Sequence, residues 1–306
     1  MKFTIYQGSH QGGRQYNQDR IAYSYSKDAM LAVLADGMGG HSSGEIAAQL
    51  AINTLTGAFQ RLALPILAHP SRFLNDYILQ VHDVIDSYVA DNGLIDHPRT
   101  TVVAAIAQHD ALYVAHVGDS RLYHFRNGEI IGRTEDHSKV QLMFRRGLLN
   151  LGQVGMHPER NKIYNCVGGA IKPKVELSEK HELRDGDTIL LCSDGLWSLV
   201  GDEKMAEILC SDTVNFTIPD LLDLAESRAD SKSDNMSAIG FNWGGKASAK
   251  QSISTADMAF ETTTTIMMNP QHEEAEGADA ETASLSDADI EGAIAEIQAA
   301  IKNVQK

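Results

Sequence analysis

The stretch ADGMGGHSSGEIAA, residues 35–48, joins an apolar strand to an amphipathic helix and carries an aspartate at the junction. The run before it, Met30–Ala35, is short and apolar, as expected of a buried strand. After it, apolar residues recur at helical spacing through Glu45–Phe59. They are Ile46, Leu50, Ala51, Leu55 and Phe59. Because a strand fixes where its end points, Asp36 is predicted to lie at the edge of a sheet.

The rest of the chain up to residue 243 continues with short strands and grouped helices. The other predicted strands are Thr101–Ala107, Ala111–Val117, Arg121–Arg126, Thr188–Cys192 and Met236–Phe241, and the other predicted helices are Arg72–Val89 and Leu221–Ala229. Asn127-Gly128 follows one of these strands directly and favours a tight hairpin turn. Clustered strands with grouped helices are typical of an α+β fold with an antiparallel sheet.

Four aspartates lie at strand ends beside small or turn-forming residues. They are Asp36 in VLADGMGGH, Asp119 in AHVGDSRLY, Asp194 in LLCSDGLW and Asp234 in SKSDNMSAIGF. A single Asp-Gly pair is usually a turn, but four such ends at one sheet edge would gather four carboxylates that repel one another. Hard cations with oxygen ligands, best magnesium or manganese, would relieve that repulsion. Glycine at positions 37 and 195 lets the backbone approach the ions.

Eight stretches of the sequence resemble, in order, the type 2C (PPM) family of metal-dependent protein serine/threonine phosphatases in its bacterial form. They are RQYNQDR (14–20), ADGMGGHSSGEIAA (35–48), RTTVVAA (99–105), VGDSRLYHF (117–125), TEDHS (134–138), NKIYNCVGG (161–169), GDTILLCSDGLW (186–197) and SDNMSAIGF (233–241). Ordered matches are far more specific than one short pattern. The resemblance implies an antiparallel β-sandwich flanked by helices in four αββα layers, with a flap segment, 139–165, over the active site.

The resemblance also implies a site for two manganese or magnesium ions. Asp36 would bridge the ions and the Gly37 carbonyl would bind the second. Asp194 and Asp234 would complete the protein ligands of the first ion. Asp119, together with Asp194, would form a weaker third site.

Other roles follow from the same resemblance. Arg14 would grip the substrate phosphate, because a guanidinium fork matches phosphate oxygens. Asp19 would hold metal-bound water, with Gln18 beside it where many relatives carry glutamate. Animal relatives have a histidine directly after the Asp-Gly as general acid, but this chain has Met38, whose thioether cannot donate a proton. That leaves His41 or a metal-bound water for the task.

The implied reaction is hydrolysis of phosphoserine and phosphothreonine in proteins by a metal-activated water, with no covalent enzyme intermediate. The enzyme is expected to oppose a partner serine/threonine kinase. The alternative is a catalytically weak protein of the same fold that acts as a scaffold through its tail. Loss of the metal aspartates would favour that alternative, and all of them are present. A cysteine-dependent phosphatase is disfavoured, because no cysteine has an arginine six residues on.

Composition narrows the partners and the compartment. The 306 residues carry a net charge of −15, which disfavours nucleic acid and acidic membrane surfaces as partners. Cys166, Cys192 and Cys210 form no C-x-x-C pair, and unpaired cysteines fit a reducing compartment. No apolar run approaches the roughly 18 residues of a membrane helix. The sequence therefore predicts a cytoplasmic protein.

A change in composition near residue 244 divides the chain into three predicted parts. Residues 1–243 form the catalytic domain. Residues 244–285 are small, polar and acidic, and are predicted to be a disordered linker. Residues 286–306 are predicted to form a short amphipathic helix that docks on the domain or on a partner. Its apolar stripe consists of Ile290, Ile294, Ile297, Ile301 and Val304.

Overall fold

Two antiparallel sheets form the centre of the fold in the computed structural model, which describes residues 1–38, 43–155, 157–245 and 252–268. The strands of the first sheet are β1 (Lys2–His10), β7 (Arg121–Arg126), β8 (Glu129–Arg133), β12 (Thr188–Cys192), β13 (Met236–Trp243) and β14 (Ile253–Ser254). They lie in the order β14-β1-β13-β12-β7-β8. Asn127 and Gly128 join β7 to β8 with positive φ at both residues, as a two-residue hairpin turn requires.

The second sheet includes the strand that ends in ADGM, residues 35–38. Its main strands are β2 (Asp19–Tyr25), β3 (Ala29–Met38), β5 (Val102–Gln108), β6 (Ala111–Val117), β10 (Glu176–Leu177) and β15 (Thr264–Met268), in the order β10-β6-β5-β3-β2-β15. Three short strands complete it: β4 (Arg99–Thr100) pairs with β3 and with β9 (Val167–Gly168), and β11 (His181–Glu182) pairs with β6.

Helices cover the outer face of each sheet. Helices α1 (Ser43–Leu62) and α2 (Pro70–Asn92) pack on the second sheet, and α5 (Asp194–Val200), α6 (Asp202–Ser211) and α7 (Val214–Arg228) pack on the first. Two short helices, α3 (Lys139–Arg145) and α4 (Leu151–Val154), lie in the segment predicted to be a flap. Among the α3 side chains only Val140 is buried.

Strand β3 shows why the apolar run at its start is continuous. Leu31 and Val33 pack under the helices, whereas Met30 and Leu34 pack between the two sheets. A strand covered on both faces loses the alternation of apolar and polar residues. The four αββα layers predicted from the family resemblance are therefore confirmed.

The predicted disordered linker is wrong where the structure describes it. Strand β14 pairs with β1, and β15 pairs with β2 through five residues, so that 252–268 extends both sheets. Small, polar composition predicted disorder, but TTTTIMM, with its β-branched residues, suits an edge strand. We call 252–268 the strap. The helix predicted for 286–306 lies outside the described residues.

Helix length and apolarity decide whether any helix of the described ranges could cross a membrane. None of them combines the two to the extent that a span requires.

Candidate active site

Strand ends bring the predicted aspartates to one side of the sandwich. Asp36 lies near the end of β3, and Asp119 lies two residues after the end of β6. Asp194 begins α5 just after β12, and Asp234 lies two residues before β13, the neighbour of β12. Asp19 starts β2 directly opposite Asp36. The carboxylates predicted from the sequence therefore share one region.

Both Asp-Gly glycines are required by close backbone packing. A Cβ on Gly195 would overlap the carbonyl oxygen of Asn235, and a Cβ on Gly37 would overlap the carbonyl oxygen of Gly44. Gly195 thus lets the chain beside Asp194 touch the chain beside Asp234. From the sequence these glycines are predicted to let the backbone approach the ions; in the structure each is in close contact with a second protein segment.

Burial and mutual repulsion perturb the carboxylates strongly. Burial raises the pKa of Asp36 well above its usual range, and four neighbouring carboxylates raise it further. They belong to Asp19, Asp194, Asp234 and Asp119. Burial, with smaller contributions from nearby aspartates, raises the pKa of Asp19 and of Asp194 to about 7.

Two oxygens of this group are buried without a hydrogen-bond partner, Oδ2 of Asp19 and Oδ1 of Asp194. Buried polar atoms normally have partners, so each of these oxygens suits a ligand or a water. Among the described residues, no three of these carboxylates place oxygens within 4.8 Å of one another. The donor set, all oxygen and acidic, fits magnesium or manganese.

Paired threonines hold the backbone of Asp36 in place. The hydroxyl of Thr100 donates to the Asp36 carbonyl oxygen at 2.9 Å, and the Thr101 N–H donates to the same oxygen at 2.8 Å. The Asp36 N–H in turn donates to the Thr101 hydroxyl at 3.1 Å. These three hydrogen bonds hold the end of β3 that carries Asp36 beside the two threonines.

Asn235 fastens the loop that carries Arg14, a role that its place in the SDN motif did not reveal. Its amide donates to the carbonyl oxygens of Gln11 at 2.7 Å and Tyr16 at 3.1 Å, and its Oδ1 accepts the Gln18 N–H at 2.9 Å. The Gln18 carbonyl accepts the N–H of the residue after Asp36 at 3.2 Å. Asn235 thereby ties the Arg14 loop to the strand end that bears Asp234.

The Arg14 side chain reaches the carboxylates from this loop. Its Nη2 lies 2.6 Å from Oδ2 of Asp234, and the side chain is 55% exposed. Burial alone would lower the pKa of Arg14, but the bond to Asp234 and the charges of Asp194 and Asp36 raise it above its usual value. A permanent cation therefore lies among the acids and still faces solvent.

Asp119 is supported by an aromatic and a cationic side chain. The indole Nε1 of Trp197 donates to the Asp119 carbonyl oxygen at 3.0 Å, and the Arg121 guanidinium stacks 3.5 Å above the indole. Arg121 is held by two bonds of 2.8 Å to Asp136. Burial, then the charge of Asp194, raises the pKa of Asp119 well above its usual range. Trp197 ends the SDGLW motif, and the motif alone did not predict this role.

Two positions discussed for proton donation have different outcomes. Met38 is the last residue of β3 and pairs with Arg99. His41 lies outside the described residues.

Comparisons with known proteins agree with this geometry. A family model described as Protein phosphatase 2C matches residues 7–218. The serine/threonine phosphatase stp of Listeria innocua is 33% identical over 201 residues, which is 65% of this chain and 79% of that protein. The solved S. agalactiae serine/threonine phosphatase is 29% identical with a TM-score of 0.70, over 78% of this chain and 99% of that one.

A further solved structure is the catalytic domain of the serine threonine protein phosphatase PstP in complex with 2 manganese ions. It is 27% identical with a TM-score of 0.64, over 78% of this chain and 98% of that one. The family match covers well over half of the sequence, and it agrees with the ordered motifs and the four-layer fold. This chain therefore belongs to the protein phosphatase 2C family.

Proposed function

We propose that this serine/threonine phosphatase holds two manganese or magnesium ions through Asp36, the Gly37 carbonyl, Asp194 and Asp234. The observation that best supports these ligands is the group of crowded carboxylates at the strand ends, with a partnerless oxygen on Asp194 and a raised pKa on Asp36. Carboxylates in such surroundings gain more from a divalent cation than from remaining charged alone. Asp119 lies within electrostatic reach of Asp194, and the two would hold a weaker third ion.

Bound divalent cations supply an activated water for attack on phosphorus and neutralise charge on the phosphoryl oxygens. Asp19 keeps a partnerless oxygen on the strand opposite Asp36 and can accept a hydrogen bond from a water there. Hydrogen bonds from Ser193 and Ser237 lower the pKa of Asp19 and partly offset the effect of its burial. These hydrogen bonds favour the carboxylate form of Asp19, in which both oxygens can accept hydrogen bonds from water.

Arg14 is the proposed phosphate-binding group. Its exposed guanidinium lies beside Asp234, so that a phosphoryl group arriving near the carboxylates would meet a cation. The forked N–H groups match phosphate oxygens in a bidentate pair. Asn235 supports this role by fastening the loop on both sides of Arg14. Met38 has no proton to donate to the leaving alkoxide. The proposed proton donor is therefore His41 or a water.

A partner serine/threonine kinase is proposed because a protein phosphatase needs phosphorylated proteins as substrates. Residues 286–306 are the segment proposed to dock on that kinase. A cytoplasmic location is supported by the three cysteines, each of which is a free thiol in the structure.

The test is metal-dependent hydrolysis of a phosphothreonine peptide and of p-nitrophenyl phosphate by the full chain. Asp194→Asn keeps the side-chain shape and removes the charge, so turnover should fall at least about 100-fold, as expected when a cation worth several kcal/mol is lost. Asp91→Asn is the matched control on the exposed end of α2 and should behave as wild type. Wild-type turnover in Asp194→Asn at saturating manganese would refute the ligand assignment. An inactive wild type that still binds phosphoproteins would favour the scaffold alternative.

Arg14→Ala separates substrate binding from metal binding. We expect a higher KM for the phosphopeptide with the same manganese dependence, because the substitution removes a phosphate contact and no proposed ligand. An equal loss of manganese affinity would remove the phosphate-binding role.

A further inference from the structure

The side chain of His137 lies buried between the strand end that bears Asp119 and the end of the predicted flap segment. The residue is 4% exposed. Its Nδ1 lies 3.1 Å from the backbone N–H nitrogen of Gly118 and 2.8 Å from Nδ2 of Asn165. Gly118 directly precedes Asp119, and Asn165 closes the segment 139–165.

The hydrogen bonds determine which nitrogen of His137 carries the proton. A backbone N–H can only donate, so Nδ1 must accept from Gly118. The amide of Asn165 is oriented independently, because its Oδ1 accepts the Lys174 N–H at 3.1 Å while its Nδ2 donates to the Lys174 carbonyl at 2.7 Å. The ring proton therefore lies on Nε2, which faces Oε2 of Glu176 at 3.1 Å.

These bonds also explain why the neighbouring donor atoms do not form an open cation site. Ligand atoms of His116, His137 and Glu176 lie within 4.8 Å of one another. However, His137 already uses its lone pair for N–H donors and its proton for Glu176. Nε2 of His116 lies 2.7 Å from the Glu135 carbonyl oxygen, and the two imidazole rings stack at 4.6 Å. The cluster is satisfied as a hydrogen-bonded network.

His137 grips Gly118 through a second bond. Its backbone N–H donates to the Gly118 carbonyl at 2.9 Å, so one residue holds both polar groups of the residue before Asp119. Gly118 has φ +112°, and an added Cβ would lie 2.6 Å from the side chain of Thr101. On the other side, Trp197 holds the Asp119 carbonyl. The Asp119 carboxylate is therefore positioned from both sides of its own backbone.

His137 lies two residues before the segment 139–165 and is hydrogen-bonded to the end of that segment. Ser138, the next residue, caps α3 by accepting the Gln141 N–H at 3.2 Å. At the far end, Tyr164 donates its N–H to the His137 carbonyl at 2.9 Å, and Asn165 bonds to the ring. A displacement of this segment would therefore also displace His137, the residue whose hydrogen bonds position Gly118.

We propose that His137 is a positioning residue that fixes Asp119 and couples the affinity of the weaker ion site to the arrangement of the segment 139–165. The proposal rests on the proposed function, because it takes Asp119 as a ligand of that ion. Outer hydrogen-bond partners of metal ligands commonly change metal affinity about 10–100-fold when they are removed.

The test compares two amide replacements in the full chain. Asn Oδ1 can take the position of Nδ1, so His137→Asn should keep the bond to Gly118. Gln places its amide at the position of Nε2, so His137→Gln should lose that bond. We measure phosphopeptide turnover against manganese concentration, together with calorimetric binding of the two tight ions. His137→Gln should raise the manganese concentration for half-maximal turnover about tenfold. His137→Asn should keep the wild-type half-maximal concentration. Neither substitution should change the affinity for the two tight ions.

A second variant avoids the buried ring. Asn165→Asp has the same shape but no N–H donor, so it should raise the half-maximal manganese concentration in the same direction. In an Asp119→Ala background, both His137→Gln and Asn165→Asp should have no further effect on manganese dependence. Fully additive effects in that background would overturn the proposal, as would a folded His137→Asn that behaves like His137→Gln.

The outcome separates this inference from the proposed function. An inactive Asp194→Asn with an unchanged manganese dependence in His137→Gln would overturn the positioning role alone. An active Asp194→Asn would overturn the ligand assignment itself. Stoichiometric zinc binding that is lost in His137→Asn would show that the cluster is a metal site instead.

Discussion

Asp19 and Asp36 face each other directly across the antiparallel pair of β2 and β3. Like charges in directly opposed positions destabilise a sheet. Burial and nearby charges also raise the pKa of both side chains. Two carboxylates in these positions reduce the stability of the fold. A bound cation beside them would offset that cost.

Asp19→Asn should separate fold stability from metal affinity. The amide removes one of the opposed charges, so the metal-free protein should melt at a higher temperature at pH 8. Manganese affinity should fall, by about 10–100-fold if Asp19 acts as an outer partner of the ions. Thermal melting in chelator and calorimetric titration with manganese measure the two effects. Asp91→Asn, exposed on α2, is the control. A lower melting temperature with unchanged affinity would contradict the assignment.

The stability of the metal-free protein should fall as pH rises. Asp19 and Asp194 have a folded-state pKa of about 7, raised by burial and then by neighbouring charges, against an ordinary value of 3.8. A carboxyl with a raised folded-state pKa contributes stability that is complete below its unfolded pKa and is lost as pH rises through the folded value. The melting temperature in chelator should therefore decline between about pH 4 and 7, the interval between the unfolded and folded pKa values.

Manganese supplies the contrast for that experiment. Because cations bind the deprotonated carboxylates, the stabilisation by manganese should increase over the same pH range. A melting temperature in chelator that rises between about pH 4 and 7 would argue against buried, protonated carboxyls at this site.

Gly195→Ala tests the contact between the chain segments that carry Asp194 and Asp234. The new methyl would overlap the Asn235 carbonyl, which must move and take the neighbouring aspartate with it. We expect a stability loss of about 1–3 kcal/mol, typical of overpacking, together with weaker manganese binding. Gly155→Ala is the control, since nothing lies within 4 Å of its added Cβ. Equal manganese affinity in both variants would show that the close approach does not set the site.

Truncation tests whether the strap belongs to the folded domain. Removal of residues 246–306 deletes the strap, whereas removal of residues 269–306 keeps it. The strap places Thr255 at 2.5 Å from the Lys27 carbonyl and Thr265 at 2.7 Å from Ser24. We expect the shorter chain to melt at least about 5 °C lower, at about 2–4 °C per kcal/mol for a domain of this size. Equal melting temperatures of the two truncated chains by calorimetry would show that 252–268 is a linker and not part of the folded domain.

The strand ends that carry the aspartates could largely be predicted, because local sequence pattern and tertiary structure agree there. The strand that ends near Asp36 and the helix after it appear as predicted, although α1 extends over Ser43–Leu62 and not only Glu45–Phe59. Apolar strand ends fixed the positions of the aspartates. The positions of Asp36, Asp119 and Asp194 relative to one another follow from sheet pairing, which the family resemblance implied.

Other parts depend on contacts between distant segments and could not be predicted from local pattern. Strand β1 was not predicted, because KFTIYQGSH mixes polar and apolar residues and gains its place by pairing with β13. The prediction for the strap was wrong for the same reason. Asn235 and Trp197 carry roles that appear only when their partners, far apart in the chain, are known.

The pairing of β1 has a consequence for how the protein is made. Phe3 lies opposite Trp243, and Lys2 lies opposite Ser254. A ribosome that adds about 5–20 residues per second needs roughly 10 to 50 seconds between the two ends of such a pair. During that time the first strand has no partner in its sheet, and its unpaired edge is open to wrong pairings. The domain therefore completes its sheets only after residue 268 has been synthesised.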